Sequence, residues 1–137
     1  MFSTLKKRIK NEKGLSLVEL LAVIVILAIV AAIAIPAIGN IINNSRDKAQ
    51  VSEALSIISG GKLAHIEYNC GESGCEGLQL AEFVDGKKLP EKLSVSLNSN
   101  KEWVITGYPF EIKNTVKFGG ITVDGVSEAV LKAAVDK

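Results

Sequence analysis

The sequence contains few of the residues from which enzyme active sites are built. His65 is the only histidine among 137 residues, and the chain has two cysteines, three prolines and one tryptophan. A nucleophile, a base and a group that orients the base cannot be assembled from this set. The sequence also lacks a glycine-rich phosphate-binding motif, a calcium-loop spacing and an internal repeat. We therefore expect a non-enzymatic protein that needs no cofactor.

Positive charge is sparse outside the first 14 residues. These residues carry a net charge of +4, from five lysine or arginine residues and one glutamate, whereas the whole chain carries +1 and the remainder therefore −3. The densest later group is Lys87, Lys88 and Lys92, which predicts a solvated loop. Phosphate binding requires clustered lysine and arginine. The charge therefore does not indicate DNA as a partner, although it leaves DNA open.

Hydrophobic residues are concentrated in one segment. Every residue from 20 to 35 is apolar, and Glu19 is the only charged residue between Lys13 and Arg46. As a helix, residues 15–42 would be roughly 42 Å long, which exceeds the ~30 Å hydrocarbon core of a bilayer. The segment therefore predicts a transmembrane helix.

The flanking charges predict the orientation of this helix. Five basic residues precede it, whereas only Arg46 and Lys48 follow closely, so the N-terminus is expected in the cytoplasm and the body outside. The alternative is an ordinary secretory signal peptide, cleaved after Ala32-Ile33-Ala34. Two features count against it: the apolar run exceeds the ~7–15 residues of a normal signal, and Glu19 lies inside it.

A short motif at the start of the apolar segment points to a family. Lys13-Gly14-Leu15-Ser16-Leu17-Val18-Glu19 follows a basic leader, and Pro36 stands 22 residues after Gly14. This pattern resembles the class III leader of type IV prepilins and pseudopilins. The resemblance implies that a prepilin peptidase cuts between Gly14 and Leu15 on the cytoplasmic side and methylates the new amine of Leu15. Leu15 departs from the family pattern, which most often has phenylalanine there.

The resemblance also implies a division of the chain. Residues 1–14 would be a cytoplasmic leader that is removed, residues 15–42 a transmembrane and filament-core helix, and residues 43–137 an extracellular pilin globular domain that includes the C-terminal half of the long helix. Glycine at the cut suits an extended backbone that enters a protease cleft, whereas a helix would hide the bond.

Glu19 and Pro36 have expected roles within the helix. A carboxylate in hydrocarbon needs a partner, and cleavage would create one in the amine of Leu15, on the same chain or on a neighbouring subunit. The resemblance implies the neighbour, so that Glu19 directs subunit assembly; pairing within one chain is the alternative. Pro36 and Gly39 predict a bend or a loosened turn, although many transmembrane helices contain proline without a mechanical role.

The helical pattern continues beyond the apolar segment, from Asn43 to about Tyr68. The adjacent glycines Gly60 and Gly61 weaken a helix, and they predict either tight packing or a local break. The residues expected to form a buried stripe on this stalk are Val51, Ala54, Leu55, Ile58, Ala64 and Ile66.

Cys70 and Cys75 flank a polar loop that contains glycine and can bring the two sulfur atoms together. Outside the membrane such a pair is expected to oxidise, so we predict a disulfide that pins a loop and contributes roughly 2 kcal/mol. Two cysteines and one histidine do not match a four-ligand zinc pattern, and we predict no metal site. His65 is expected at the surface.

The C-terminal half predicts a small antiparallel sheet. A short amphipathic segment at 78–84 precedes a turn at Asp85-Gly86, strands are expected at 93–97, 102–106 and 115–123, and residues 98–100 can turn. Gly119-Gly120 interrupts the last strand and predicts a bulge or a turn into a separate short strand. Ser127 is expected to cap a helix over 128–135, with one apolar side. Large aromatic residues are expected to fill the core: Phe83, Trp103, Phe110 and Phe118. The fold class is therefore α+β and pilin-like, with a long N-terminal helix packed on the sheet.

The function that the resemblance implies is that of a structural subunit of a type IV pilus-like surface filament. Its expected partners are copies of itself, the prepilin peptidase, an assembly platform protein with its ATPase, minor pilins, and the plasma membrane before assembly. The runner-up is a major pseudopilin of a competence or type II secretion pseudopilus. A third hypothesis is a membrane-anchored extracellular binding domain that never polymerises.

Overall fold

The computed structural model describes the backbone of residues 2–84 and 88–136, with side chains from residue 16 onward. The predicted turn at Asp85-Gly86 lies outside the described residues. The chain divides into two compact units, residues 1–41 and residues 42–137. We call them the N-terminal unit and the C-terminal unit.

The first helix, α1 (Phe2–Tyr68), extends over parts of both units. It ends at the residue that the helical pattern predicts. Pro36 lies inside α1, and the backbone is helical on both sides of it. The bend expected at Pro36 and Gly39 stays a prediction.

The apolar segment of α1 is exposed on all of its sides. Each leucine, isoleucine and valine from residue 17 to residue 42 is exposed, with exposed fractions between 46% for Ile42 and 72% for Ile33. A helix that is apolar all round belongs in a membrane or in the interior of an assembly. No other residue in the described part of the chain covers this surface.

The C-terminal unit is an α+β fold, as the sequence predicts. Its sheet has the order β1-β2-β3-β4, and all neighbouring strands are antiparallel. Residues 42–68 of α1 pack on this sheet together with two shorter helices. The elements after α1 are β1 (Cys75–Glu76), α2 (Gly77–Ala81), β2 (Ser94–Leu97), β3 (Trp103–Thr106), β4 (Val126–Ser127) and α3 (Glu128–Asp136).

The central hairpin, β2 and β3, forms where alternation of apolar and polar residues predicts strands. Val95 lies opposite Ile105, and both side chains are buried. The turn between the strands is held by Asn98, whose side-chain oxygen accepts the backbone N–H groups of Asn100 and Glu102 at 3.0 and 2.9 Å. An asparagine that bonds its own backbone two residues on is a common turn-forming device.

Gly60 and Gly61 allow α1 to approach the rest of the unit closely. A Cβ atom on Gly61 would lie 2.5 Å from Val95, and one on Gly60 would lie 2.7 Å from Val84. Both glycines are buried, and the helix continues through them. Of the two outcomes predicted for this pair, the structure therefore shows tight packing.

The buried stripe of α1 differs in part from the prediction. Val51, Ala54, Ile58 and Ala64 are buried as expected, and Leu55 packs partly against the core. Ile66, however, is 80% exposed. The prediction also omitted Ile57, which is buried, because in a helix of 3.6 residues per turn the core face is wide enough to include neighbouring positions.

The strand predicted over 115–123 is wrong. The segment instead forms consecutive turns, because Asn114 bonds to the backbone ahead of it: its side-chain oxygen accepts the N–H of Lys117, and its carbonyl accepts the N–H of Phe118. Local bonds of this kind compete with a strand ladder. Gly120 also has a positive φ of 86°, which an extended strand does not use.

The C-terminal helix and the aromatic residues follow the prediction in part. Ser127 caps α3 by accepting the N–H of Val130 at 3.4 Å. Phe118 is fully buried, while Trp103 and Phe110 pack partly against the core. Phe83 is half-buried and packs edge-on against Tyr68, whereas Tyr108, which the prediction omitted, is buried.

Candidate functional site

The predicted cleavage bond, between Gly14 and Leu15, lies within the helical backbone of α1. This differs from the extended backbone that entry into a protease cleft requires. Cleavage at this bond therefore needs local unwinding of α1. Glycine lowers the cost of that step, because it is roughly 1 kcal/mol less favourable than alanine inside a helix.

Glu19 is the only acidic residue of the apolar segment, and its side chain is exposed. Among the residues whose side chains are described, no lysine or arginine forms an ion pair with it. If residues 1–14 are removed, the amine of Leu15 becomes the nearest new positive charge in the sequence, one helical turn away. After processing, Glu19 and this amine can therefore form a charge pair, within one chain or with a second chain.

The helix that carries Glu19 is long and apolar enough to cross a membrane. In the part of the chain that the structure describes, it is the one such helix, and none of its most apolar 18-residue window is buried. Its mean hydropathy over that window is 3.1. Length and composition are thus compatible with a membrane anchor, as the sequence predicts.

Comparison with known proteins identifies the motif at this site. Residues 9–35 match the family model of the prokaryotic N-terminal methylation motif. This is the class III prepilin-type motif of type IV pilins and pseudopilins, so the resemblance found on the residues is confirmed. The match includes Gly14, Leu15 and Glu19, and it ends one residue before Pro36. No curated protein and no solved structure gives a significant match to the chain.

The two cysteines are joined in the structure. A disulfide links Cys70 and Cys75 just after the end of α1, as the sequence predicts. A ligand atom of His65 and the two sulfur atoms lie within 4.8 Å of one another. With the sulfur atoms bonded to each other, however, the group offers no thiolate to a metal ion.

His65 is more enclosed than the prediction of a surface histidine implies. Its Nδ1 atom is buried without a hydrogen-bond partner in the described parts of the chain, and its ring packs edge-on against Trp103 with 5.4 Å between ring centres. The imidazole of a half-buried histidine thus contributes apolar contact to the side of the core. In the sequence, the location of His65 beside the predicted buried stripe of α1 was the feature that could have indicated partial burial.

Sequence reasoning missed a buried carboxylate next to the apolar segment. Asp47 is fully buried, and its two oxygens accept the backbone N–H groups of Lys113 and Asn114 at distances of 2.7 to 3.1 Å. A buried carboxylate is costly unless hydrogen bonds satisfy it, and here three such contacts do so. Asp47 therefore fixes this loop to α1.

Two neighbouring side chains of α1 extend the attachment. Gln50 donates to the carbonyl of Glu111 at 3.2 Å and accepts the N–H of the same residue at 2.7 Å, while Asn44 accepts a bond from the Asn114 side chain at 2.8 Å. We call these contacts of Asn44, Asp47 and Gln50 with residues 111–114 the polar clamp. Their spacing of three residues, which places them on one helix face, was the only signal in the sequence.

Charged groups further along α1 form a second attachment. Lys62 of α1 contacts both carboxylate oxygens of Glu128 at 2.7 and 2.8 Å, and Lys132 lies 2.9 Å from the same carboxylate. Hydrogen bonds from Lys62 and then Lys132 lower the pKa of Glu128 below its usual value. This network ties α3 to α1.

Tyr108 is the buried tyrosine of the core. Burial, together with the nearby Glu53 carboxylate, raises the pKa of Tyr108 to about 12. A hydroxyl with so high a pKa stays neutral throughout the physiological range. Tyr108 therefore serves packing and hydrogen bonding, not proton transfer.

Proposed function

We propose that this chain is a structural subunit of a type IV pilus-like surface filament. Before assembly it would lie in the plasma membrane with its N-terminus in the cytoplasm and its C-terminal unit outside. A prepilin peptidase would remove residues 1–14 and methylate the amine of Leu15. Subunits would then join through the N-terminal helix.

One observation carries this proposal. Residues 16–35, the part of the matched motif whose side chains are described, form an apolar helix with exposed leucine, isoleucine and valine side chains, and Glu19 is its single acidic residue. Such a surface is stable only when lipid or other apolar helices cover it. A plain anchor would need lipid alone and would have no use for a carboxylate in hydrocarbon. Assembly gives both the surface and the carboxylate a partner.

The first experiment is mass spectrometry, without reduction, of the intact protein and its N-terminal peptide from material sheared off the cell surface. We expect a chain that begins with a methylated Leu15 and retains the disulfide. A chain that begins at Met1, or near residue 35 in the medium, would contradict the proposal. A Gly14→Asp variant is expected to stay uncut in the membrane, and normal processing of this variant would refute the assigned cleavage bond.

The second experiment separates assembly from anchoring. We expect Glu19→Ala and Glu19→Gln to be inserted and cleaved normally but to be sharply depleted from sheared filaments, because both remove the charge that pairs with the amine of Leu15. Glu72→Gln, which removes a charge from an exposed loop, is the matched control and should enter filaments normally. Normal incorporation of the Glu19 variants would refute the pairing of Glu19 with the Leu15 amine, whereas absence of the unaltered chain from any filament would favour the non-polymerising binding domain.

A further measurement separates a pilus from a pseudopilus. Electron microscopy of intact cells is expected to show long surface filaments that an antibody to the C-terminal unit decorates. Processed protein that is found only in short structures, together with loss of DNA uptake or of secretion when the gene is deleted, would instead identify a pseudopilin.

A further inference from the structure

The polar clamp places a loop close to the end of the apolar segment. Ile42 is the last residue of the apolar run, and Asn44, two residues later, already contacts Asn114. Asp47 then holds the backbone of Lys113 and Asn114. The loop from residue 111 to residue 118 is therefore attached to α1 within about two turns of the point where the apolar run stops.

The length of the apolar run sets the depth of this point in a membrane. Residues 15–42 span roughly 42 Å as a helix, which matches the ~40–45 Å of a bilayer that includes both headgroup regions. If these residues cross the membrane, residues 44–50 of α1 begin at the level of the headgroups. Lys113 and Asn114 of the clamped loop lie at the same level, because they hydrogen-bond directly to Asn44 and Asp47.

The side chains at this level are mainly cationic. Arg46 and Lys48 flank Asp47 on α1 and are exposed, Lys113 of the loop is exposed, and Lys117 is half-buried with its ammonium 5.7 Å from the centre of the Phe118 ring. Two acidic residues belong to the same region. Asp47 is buried and bonded to backbone N–H groups, so Glu111 is the exposed acid beside them.

The tip of the loop carries an exposed apolar side chain. Val116 lies between Lys113 and Lys117 in sequence and is 95% exposed, more than any other large hydrophobic residue among those described. Cations around an apolar side chain suit the interface of a bilayer, where lipid phosphates meet the first acyl carbons. In water, the Val116 side chain would obtain no hydrophobic stabilisation at this position.

We propose that this surface, formed by Arg46, Lys48, Lys113, Val116 and Lys117, binds the anionic phospholipid headgroups of the leaflet on the side of the C-terminal unit. The four cations contact lipid phosphates, and Val116 enters the interface between them. Asp47 is a positioning residue, because it holds the loop at the depth where these contacts form.

The proposal explains how a positive surface can exist outside the membrane despite the excess of basic residues before the helix. Orientation is set by lysine and arginine close to the helix in sequence while the chain is being inserted. Lys113 and Lys117 are about 70 residues further along and join Arg46 and Lys48 only through the polar clamp, after folding. The surface is therefore formed without competing with the N-terminal charges.

The experiment places a polarity-sensitive dye on the loop of the full chain. Both native cysteines are in the disulfide, so Val116→Cys supplies a single free thiol for labelling with NBD. The labelled protein is reconstituted in nanodiscs of phosphatidylcholine alone or with phosphatidylglycerol. We expect the NBD emission to shift to shorter wavelength and to be quenched by headgroup-level spin-labelled lipid in the anionic discs, and the shift to decline as salt is raised.

Three variants make the result specific. Leu78→Cys in α2 is the matched label site, because Leu78 is 91% exposed and the chain just after α2 packs beside Gly60, more than three helical turns along α1 from Asp47. It should show no lipid-dependent shift. Adding Lys113→Gln and Lys117→Gln to the Val116 variant should abolish the shift, as should Asp47→Ala, while Trp103 fluorescence confirms that the unit is folded. Equal emission from the Val116 label in both lipids would overturn the proposal. It would also be overturned if inorganic phosphate, added to the protein in neutral discs, produced the same shift, because the ligand would then be free phosphate and not a lipid headgroup.

The inference rests on membrane insertion of residues 15–42 and not on filament assembly. Co-elution of the protein with nanodiscs tests insertion in the same sample. A chain that inserts but does not polymerise would refute the proposed function and leave this inference standing. An inserted chain whose Val116 label does not respond to anionic lipid would refute this inference and leave the proposed function standing.

Discussion

The two units of this protein use their apolar residues in opposite ways. In the N-terminal unit the leucine, isoleucine and valine residues from 17 onward are all exposed, and no other part of the described chain covers them. In the C-terminal unit Val51, Ile58, Leu80, Leu93 and Leu131 are fully enclosed by one another and by the sheet. The first unit is completed only by other molecules, whereas the second is completed by its own chain.

This difference has a thermodynamic meaning. Burial of apolar area stabilises a folded unit by about 25 cal/mol per Å², and the C-terminal unit obtains this stabilisation from its own folding. In the proposed function, the N-terminal helix would obtain it from lipid or from neighbouring helices. Substitutions in the two units should therefore change different measured quantities, and the predictions below test that separation.

The largest expected effect comes from shortening an apolar side chain in each unit. Ile58→Ala should lower the free energy of unfolding of the C-terminal unit by about 2–5 kcal/mol, because Ile58 is fully buried and leaves a cavity. Ile33→Ala, at a position 72% exposed, should leave that free energy unchanged. Urea unfolding in detergent, followed by the fluorescence of Trp103, measures both. Similar losses from the two variants would show that the units do not fold separately.

A smaller effect is expected from adding one methyl group to a glycine of α1. Gly61→Ala would place a Cβ atom 2.5 Å from Val95 and should destabilise the C-terminal unit by about 1–3 kcal/mol. Gly39→Ala meets no atom within 4 Å and should cause no loss. The same unfolding measurement compares them. A destabilising Gly39→Ala would mean that this position has contacts within the chain that the described structure does not contain.

The smallest effect concerns the ion pairs that join α3 to α1. The folded-state pKa of Glu128 is below its ordinary value of 4.5, because Lys62 and Lys132 donate to its carboxylate. The stabilisation is therefore present above the ordinary pKa and is lost as the pH falls through the lowered value. At neutral pH Glu128→Gln should cost less than about 1 kcal/mol, since such pairs near the surface contribute little.

The measurement is urea unfolding of Glu128→Gln and of the unaltered chain at neutral and at acidic pH. The two proteins should differ at neutral pH and converge once the carboxyl group is protonated. Glu72→Gln, which alters a glutamate in an exposed loop, is the matched control and should follow the unaltered chain at both values. A difference for Glu128→Gln that persists in acid would show that packing, not charge, connects α3 to α1.

The features that sequence reasoning predicted are those that depend on neighbouring residues. The end of α1 at Tyr68, the β2–β3 hairpin and the Ser127 cap all follow from local patterns. The methylation motif does too, because it is a short contiguous segment. The C-terminal unit could be predicted only in outline.

The features that were missed depend on residues far apart in sequence. The polar clamp joins Asp47 to a loop 66 residues later, and nothing local distinguishes this aspartate from a solvated one. The same loop was predicted as a strand because its β-branched residues fit one, yet the bonds made by Asn114 and the attachment to α1 form turns instead. Likewise, Arg46 and Lys48 on the helix are connected to Lys113 and Lys117 only by contacts between distant segments, which no local pattern reveals.

The two outer strands of the sheet limit edge-to-edge aggregation between copies of the chain. Both β1 and β4 contain only two residues, and β1 begins at a cysteine of the disulfide. Long open edges are templates on which foreign strands add and from which aggregates grow. Here each edge offers almost no row of free backbone groups. If copies assemble as proposed, their sheet edges are therefore poor templates for strand addition, and edge-to-edge pairing would not compete with association through the helices.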